Sequence, residues 1–319
     1  MSLLRTSAHL LAKIPYFLHT CFLFTKSDIK TTVIPVSSLA AASAPLSDLS
    51  RLPHVVFWVW LHVLQFDVSN QTMDPDEDEM NKRDRPLPAK RLTLQQALFF
   101  RWLLVPICWA WSAWYSVETL YASIALVALT VIYDELGAHR MHWVIRNLVN
   151  ALGFCAFESG ATLVAGRDPT TLDGVALWSI AASTGIFFTT IHSQDFKDVD
   201  GDRAIGRQTI PIVFGALARF TVIIPLLLWS VGLSLVWGLD VATCVTFVLL
   251  GLFVGAQYVV GKTVHEYQVA FYWYNVSRLS CCPRVVVFRE LTWSFLRRSS
   301  GCPQHTPCLR ITACTTHDF

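Results

Sequence analysis

Long apolar runs alternate along this chain with polar connections. A hydrocarbon core of about 30 Å takes roughly 20 mostly apolar helical residues to cross. Eight stretches approach that length: 30–47, 52–69, 96–115, 117–133, 144–166, 174–193, 220–238 and 240–261. The pattern predicts an all-α, polytopic transmembrane helix bundle. The first stretch, "TTVIPVSSLAAASAPL", is rich in small residues. Small residues let membrane helices approach closely, so this span is expected to pack inside the bundle.

The connections are of two kinds. Those after the first, third, fifth and seventh spans are short and carry few charges. Those after the second, fourth and sixth carry Lys82, Arg83, Arg85, Lys90 and Arg91, then Arg140 and Arg146, then Lys197, Arg203, Arg207 and Arg219. The positive-inside rule puts these loops, and the N-terminus with Arg5, Lys13 and Lys26, on the cytoplasmic side.

Composition sharpens the class. Of 319 residues 53% are hydrophobic and only 15% charged, a membrane-protein balance. A net charge of +2 without a basic, aromatic-interleaved stripe argues against a nucleic-acid partner. Residues 1–29 hold the short apolar patch "YFLHTCFLF" and are expected to lie on the cytoplasmic interface. Residues 30–275 form the bundle. Residues 276–319 are a polar tail with five of the nine cysteines and no C-x-x-C pair.

Charge also gathers where chemistry would be placed. Asp195, Asp198 and Asp202 recur at i, i+3 and i+7, which on one helix aligns three carboxylates along a face. Like charges that close repel unless a cation sits among them, and oxygen-only sites suit Mg²⁺ completed by substrate phosphate. Asn70, Asp74 and Asp78, at i, i+4 and i+8, stand in "SNQTMDPDEDEMNKRDRPLPAKR" at the end of a span on the same side. Two facing oxygen clusters can hold two Mg²⁺ ions and grip a diphosphate between them. Lys82, Arg85, Lys197 and Arg203 are placed to contact its oxygens. For either cluster alone the alternative is a solvated, acidic helix end. Pro75 biases Asp74 away from the helical region, which leaves the register of the first ligand set open.

These motifs, N-x-x-x-D-x-x-x-D before "NKRDRPLP" and D-x-x-D-x-x-x-D running into "GDRAIGRQTIP", resemble the two signatures of the UbiA superfamily of intramembrane prenyltransferases. The resemblance covers residues 30–275. It implies a bundle usually of nine helices around a central cavity, an isoprenyl diphosphate substrate, and two Mg²⁺ ions held by Asn70, Asp74 and Asp78 on one side and Asp195, Asp198 and Asp202 on the other. Where many aromatic prenyltransferases of the family carry Tyr-x-x-x-Lys, this chain has Tyr133 but Gly137 in "YDELGAHR". Tyr133 is a candidate catalytic group, with an interfacial aromatic as the alternative.

Once diphosphate leaves, an allylic cation is captured either by a separate acceptor or by the chain's own alkenes. Both outcomes need water excluded and the cation sheltered, as aromatic faces do. Glu158 lies mid-span, where a carboxyl is costly in lipid and turns inward; it is a candidate base, with a structural helix contact as the alternative. The resemblance extends to the fungal branch of membrane terpene cyclases, and within it to cyathane-type diterpene cyclases. It implies a cyclase acting on geranylgeranyl diphosphate in the endoplasmic reticulum membrane. A prenyltransferase with an aromatic acceptor is the second reading, and a divalent-ion transporter a third. Transport requires ionisable groups through the midplane, whereas here only Glu158 is deep.

Overall fold

The computed structural model describes residues 2–46, 48–73 and 82–279. Every regular element of the described residues is helical. The chain opens with α1 (Ser2–Thr25) and a wide, π-helical turn (Ile29–Val33) that runs into α2 (Ile34–Ser43). The long helices α3 (Arg51–Met73), α4 (Leu94–Ala113), α5 (Val117–Asp134), α6 (Trp143–Ala165) and α7 (Gly174–Thr190) follow. Beyond a 3₁₀ stretch (Ile191–Lys197) come the short α8 (Val199–Ala204) and α9 (Ile210–Phe214), then α10 (Phe220–Val236), α11 (Val241–Val260) and α12 (Val264–Leu279).

Several helix starts are written locally. Thr93 and Gln96 form a reciprocal capping box on α4, while Ser116, Asp173 and Asp240 each accept a backbone N–H at the head of α5, α7 and α11. Such caps satisfy donors that a helix end leaves open.

All eight predicted spans are helical, but they are not equivalent. Val117–Asp134, Trp143–Ala165, Gly174–Lys197, Ile210–Val236 and Val241–Val260 are long and apolar enough to cross a membrane by length and composition. α3 is long enough but buries His62, Gln65, Asp67, Ser69, Gln71 and Thr72, so its polar side faces the protein interior. α2, with its preceding turn, is short and packs its small residues against α3 and α6. The bundle also has a helix that the apolar pattern misses: α12 is 16 residues long and buries Ala270, Phe271 and Tyr274 beside α10 and α11.

Burial is inverted relative to a water-soluble protein. Leu228, Leu235, Val241, Trp178 and Phe99 are largely exposed, while Asn147, Glu158, His192 and Ser193 are buried. Such a surface suits lipid. Inside, Val36, Val55, Trp58, Val63, Leu126, Phe157 and Val164 join α2, α3, α5 and α6. Phe196, Val222, Val254, Tyr258 and Tyr274 join the later helices. Gly160 lets the Trp58 indole lie against α6, where a Cβ would come within 2.2 Å of the ring.

Candidate functional site

Between these helices lies a cavity of about 800 Å³ with a charged mouth and an apolar depth. The N-terminal turn and the loop after residue 82 frame one side of the mouth. Lys26 Nζ donates to Asp84 Oδ2 at 2.7 Å, which ties the two together and lowers the Asp84 carboxyl below its usual range. Lys82 and Arg85 of that loop line the cavity.

On the opposite side the backbone departs from the single helical face that the Asp195, Asp198, Asp202 spacing assumes. α7 tightens into the 3₁₀ stretch through Lys197, and Asp198, at φ −108° and ψ 9°, is the joint to α8. In a 3₁₀ turn residues three apart eclipse, so Asp195 and Asp198 share a side; one helical turn then brings Asp202 round. All three line the cavity.

Their partners differ. Arg146 Nη1, in the first turns of α6, donates to Asp195 Oδ2 at 2.6 Å, and both side chains are buried. Arg207 Nη1 donates to Asp202 Oδ1 at 2.9 Å. Asp198 is half-exposed, with Lys197 Nζ 3.9 Å away. Among the described residues no three carboxylate, imidazole or thiol groups converge as a ready-made metal cage. The oxygen donors nonetheless fit a hard divalent cation. The buried Oδ2 of Asp202 has no hydrogen-bond partner among the described residues, and Asp198 faces the cavity with its carboxylate accessible.

Asn70 also lines the cavity. Its Nδ2 donates to Asp134 Oδ1 at 3.2 Å, while Ser69 Oγ donates to Asp134 Oδ2 at 2.6 Å. The first bond turns the Asn70 amide nitrogen toward Asp134. Asp74 and Asp78 lie outside the described residues, as does most of the polar tail and all five of its cysteines.

Other sequence-predicted positions separate. Tyr133 and Lys197 line the cavity, with the Tyr133 ring between those of Phe66 and His139. Arg203 does not: its side chain points outward, 66% exposed, with Asp200 at 3.8 Å. Arg207, four residues on, takes the inward place because the helix ends at Ala204 and Gly206, at φ 75°, turns the chain back toward Asp202. Glu158 is buried between α6 and α7, accepts a hydrogen bond from Ser183 Oγ at 2.6 Å, and is not among the cavity-lining residues. Arg146, Asp134 and Arg207 are the site residues that the motif spacings leave out. The available sign was an arginine inside the first turn of an apolar span, where an unpaired charge is costly.

Deeper, the wall is made by Leu126, Leu129, Phe154, Phe157 and Phe187, with Phe154 and Phe187 stacked at 3.7 Å. His62 is also there.

Known proteins sort this arrangement. The model of the UbiA prenyltransferase family matches residues 32–276. The fumagillin beta-trans-bergamotene synthase af520 of Aspergillus fumigatus is 33% identical over 71% of this chain and 78% of its own length. The diterpene cyclase eriG of Hericium erinaceus is 32% identical over 67% of this chain and 71% of its own. A UbiA homologue from Archaeoglobus fulgidus, solved bound to GPP and Mg²⁺, superposes with a TM-score of 0.59 at 12% identity, covering 84% of this chain and 99% of that one.

Proposed function

Because the chain belongs to the UbiA prenyltransferase family, a family of membrane enzymes, we propose that it is a Mg²⁺-dependent terpene cyclase that ionises a linear isoprenyl diphosphate and closes the hydrocarbon on itself. Geranylgeranyl diphosphate is the preferred substrate in this reading. The observation that supports it is the polarity of one cavity: carboxylates and cations at the mouth, stacked aromatics and aliphatics in the depth.

Asn70, Asp74 and Asp78 would hold one Mg²⁺ and Asp195, Asp198 and Asp202 a second. When bound, Mg²⁺ neutralises charge on the departing diphosphate. Lys82, Arg85, Lys197, Arg146 and Arg207 surround the same mouth. Arg146 and Arg207 hold Asp195 and Asp202 in place, and with Lys82, Arg85 and Lys197 they favour phosphate oxygens over water. The Tyr133 ring lines the cavity near its mouth and in this reading would flank the carbon at which the C–O bond breaks. Phe154, Phe157 and Phe187 exclude water and offer π-faces to the resulting cation.

Gly137 supplies no ammonium where the aromatic prenyltransferase pattern has one, and its φ of 72° serves a left-handed turn that favours glycine. That weakens the reading in which a separate aromatic acceptor is prenylated. In this reading the bundle lies in the endoplasmic reticulum membrane, and the basic loops support a cavity mouth that faces the cytoplasm.

Membranes containing the full chain, given geranylgeranyl diphosphate and Mg²⁺ with no acceptor, should release diphosphate and a cyclic hydrocarbon. Chelation should stop both and Mg²⁺ should restore both. Diphosphate release that yields product only when an aromatic acceptor is added would replace this reading with prenyl transfer.

A further inference from the structure

Asp28 stands where an aspartate usually caps a helix, at the head of the wide turn Ile29–Val33, yet its side chain caps no backbone N–H of that turn. Its carboxylate lines the cavity instead, accepting from Ser27 Oγ at 3.0 Å and from Thr31 Oγ1 at 3.1 Å. Across from it is Asp67 of α3, 4% exposed and also on the cavity wall. The two carboxyl groups meet, with Arg85 and Lys82 as the nearby cations. The buried Oδ2 of Asp67 has no hydrogen-bond partner among the described residues.

A buried carboxylate set against a second one is stable only with a proton or a cation between them. The lysines of the same turn are committed elsewhere: Lys26 to Asp84 at 2.7 Å, and Lys30 over the Tyr272 ring at 5.3 Å. Lys82 and Arg85 are the phosphate-binding cations of the reading above, so once diphosphate engages them the acid pair needs a cation of its own. The metal side of the mouth is close by. Asn70 is three residues beyond Asp67 on the same face of α3, or about 4.5 Å along the axis. Its Nδ2 is turned to Asp134, so toward a cation it offers oxygen. Oxygens from two carboxylates and an amide suit Mg²⁺, which completes its shell with water and phosphate.

We infer that Asp28 and Asp67 join Asn70 as ligands of the Mg²⁺ ion on that side of the mouth, an assignment that rests on the Mg²⁺-dependent reading above and deepens it. The family match begins at residue 32, so Asp28 reaches the site from a turn outside the matched region. With the Lys26–Asp84 pair, the ion ties that turn both to α3 and to the loop that carries Lys82 and Arg85.

The full chain in lipid nanodiscs, without isoprenoid, tests this by titration with Mn²⁺, an EPR-visible substitute for Mg²⁺, in the presence of inorganic diphosphate. The parent should take up Mn²⁺. Asp67→Asn and Asp28→Asn should each weaken the uptake of one ion by about 10–100-fold, a loss usual even for groups that only support a ligand. The double variant should weaken it by less than the product of the two, because both act on the same ion. Without metal the sign differs. Asp67→Asn removes a buried carboxyl held against another, so the metal-free unfolding temperature should hold or rise; a fall with Mn²⁺ uptake kept makes Asp67 structural and overturns its assignment. Unchanged uptake in either folded variant removes that residue from the metal site. If Asp67→Asn does not fold, Asp28→Asn, on the partly exposed turn, decides. A parent that takes up no Mn²⁺ overturns the metal reading of the whole mouth instead.

Discussion

The mouth and the depth of the cavity are built on opposite electrostatic plans. At the mouth, charges are many and mutually paired: Arg146 with Asp195, Arg207 with Asp202, Lys26 with Asp84. In the depth, polar groups are few and hydrogen-bonded to one another among rings, as His62 and Ser123 are. The difference separates two tasks. Breaking a C–O bond needs fixed charge that favours a leaving anion, whereas guiding a cation needs shape, dry surface and weak π-attraction. Damage at the mouth should therefore stop turnover, and damage in the depth should redirect it.

The largest effect is expected at Asp198. Its side chain is half-exposed at the joint between the 3₁₀ stretch and α8, and among the described residues its ion-pair partner is Lys197, at 3.9 Å. Asp198→Ala should leave thermal unfolding in detergent nearly unchanged and lower diphosphate release by about 10²–10³-fold, the usual scale for a lost electrostatic group. A variant that releases diphosphate at the parent's rate removes Asp198 from the mouth's chemistry.

Arg146→Ala tests the same side through structure. Truncation leaves Asp195 buried at 2% exposure without its cation, a situation that costs about 3–5 kcal/mol. The expected outcome is a clear fall in unfolding temperature together with lost activity. Asp195→Asn in the Arg146→Ala background should recover part of the stability, since no unpaired charge is left buried, but not the turnover.

In the depth, Gly160→Ala would put a Cβ within 2.2 Å of the Trp58 ring. Trp58 is fully buried and both stacks on His62 and bonds Ser112, so it cannot move alone. A cost of about 1–3 kcal/mol is expected, with diphosphate release retained and the product profile broadened. Lost release with an unchanged profile would break the division between mouth and depth.

Much of the scaffold is legible because its signals are local. Eight apolar runs give eight helices, and the caps at Thr93, Ser116, Asp173 and Asp240 mark the starts of four of them. α12 escapes because "VHEYQVAFYWYNVSRL" mixes His265, Glu266 and Asn275 with its aromatics, and its inward residues reveal themselves only against α10 and α11. The motif spacings name Asn70, Asp195, Asp198 and Asp202, all of which face the cavity. They do not name Arg146, because its pairing with Asp195 spans 49 positions and depends on how α6 meets the 3₁₀ stretch. Nor does spacing reveal that this stretch narrows to 3₁₀: "IHSQDFK" carries no proline or glycine to announce it.

The smallest effect belongs to Arg203, and it tests the local turn that decides which arginine enters the mouth. Arg203 and Arg207 flank the same left-handed Gly206, yet one side chain is 66% exposed and the other 14%. Exposed ion pairs such as Arg203 with Asp200 contribute about 0.2–1 kcal/mol or less, because water screens them and two long side chains lose freedom. Arg203→Ala should thus leave stability and diphosphate release close to the parent's. Arg207→Ala should weaken both, since it strips Asp202 of its buried partner. If Arg203→Ala were the more damaging of the two, the chain would have to turn the other way during turnover, bringing Arg203 inward as substrate phosphate arrives.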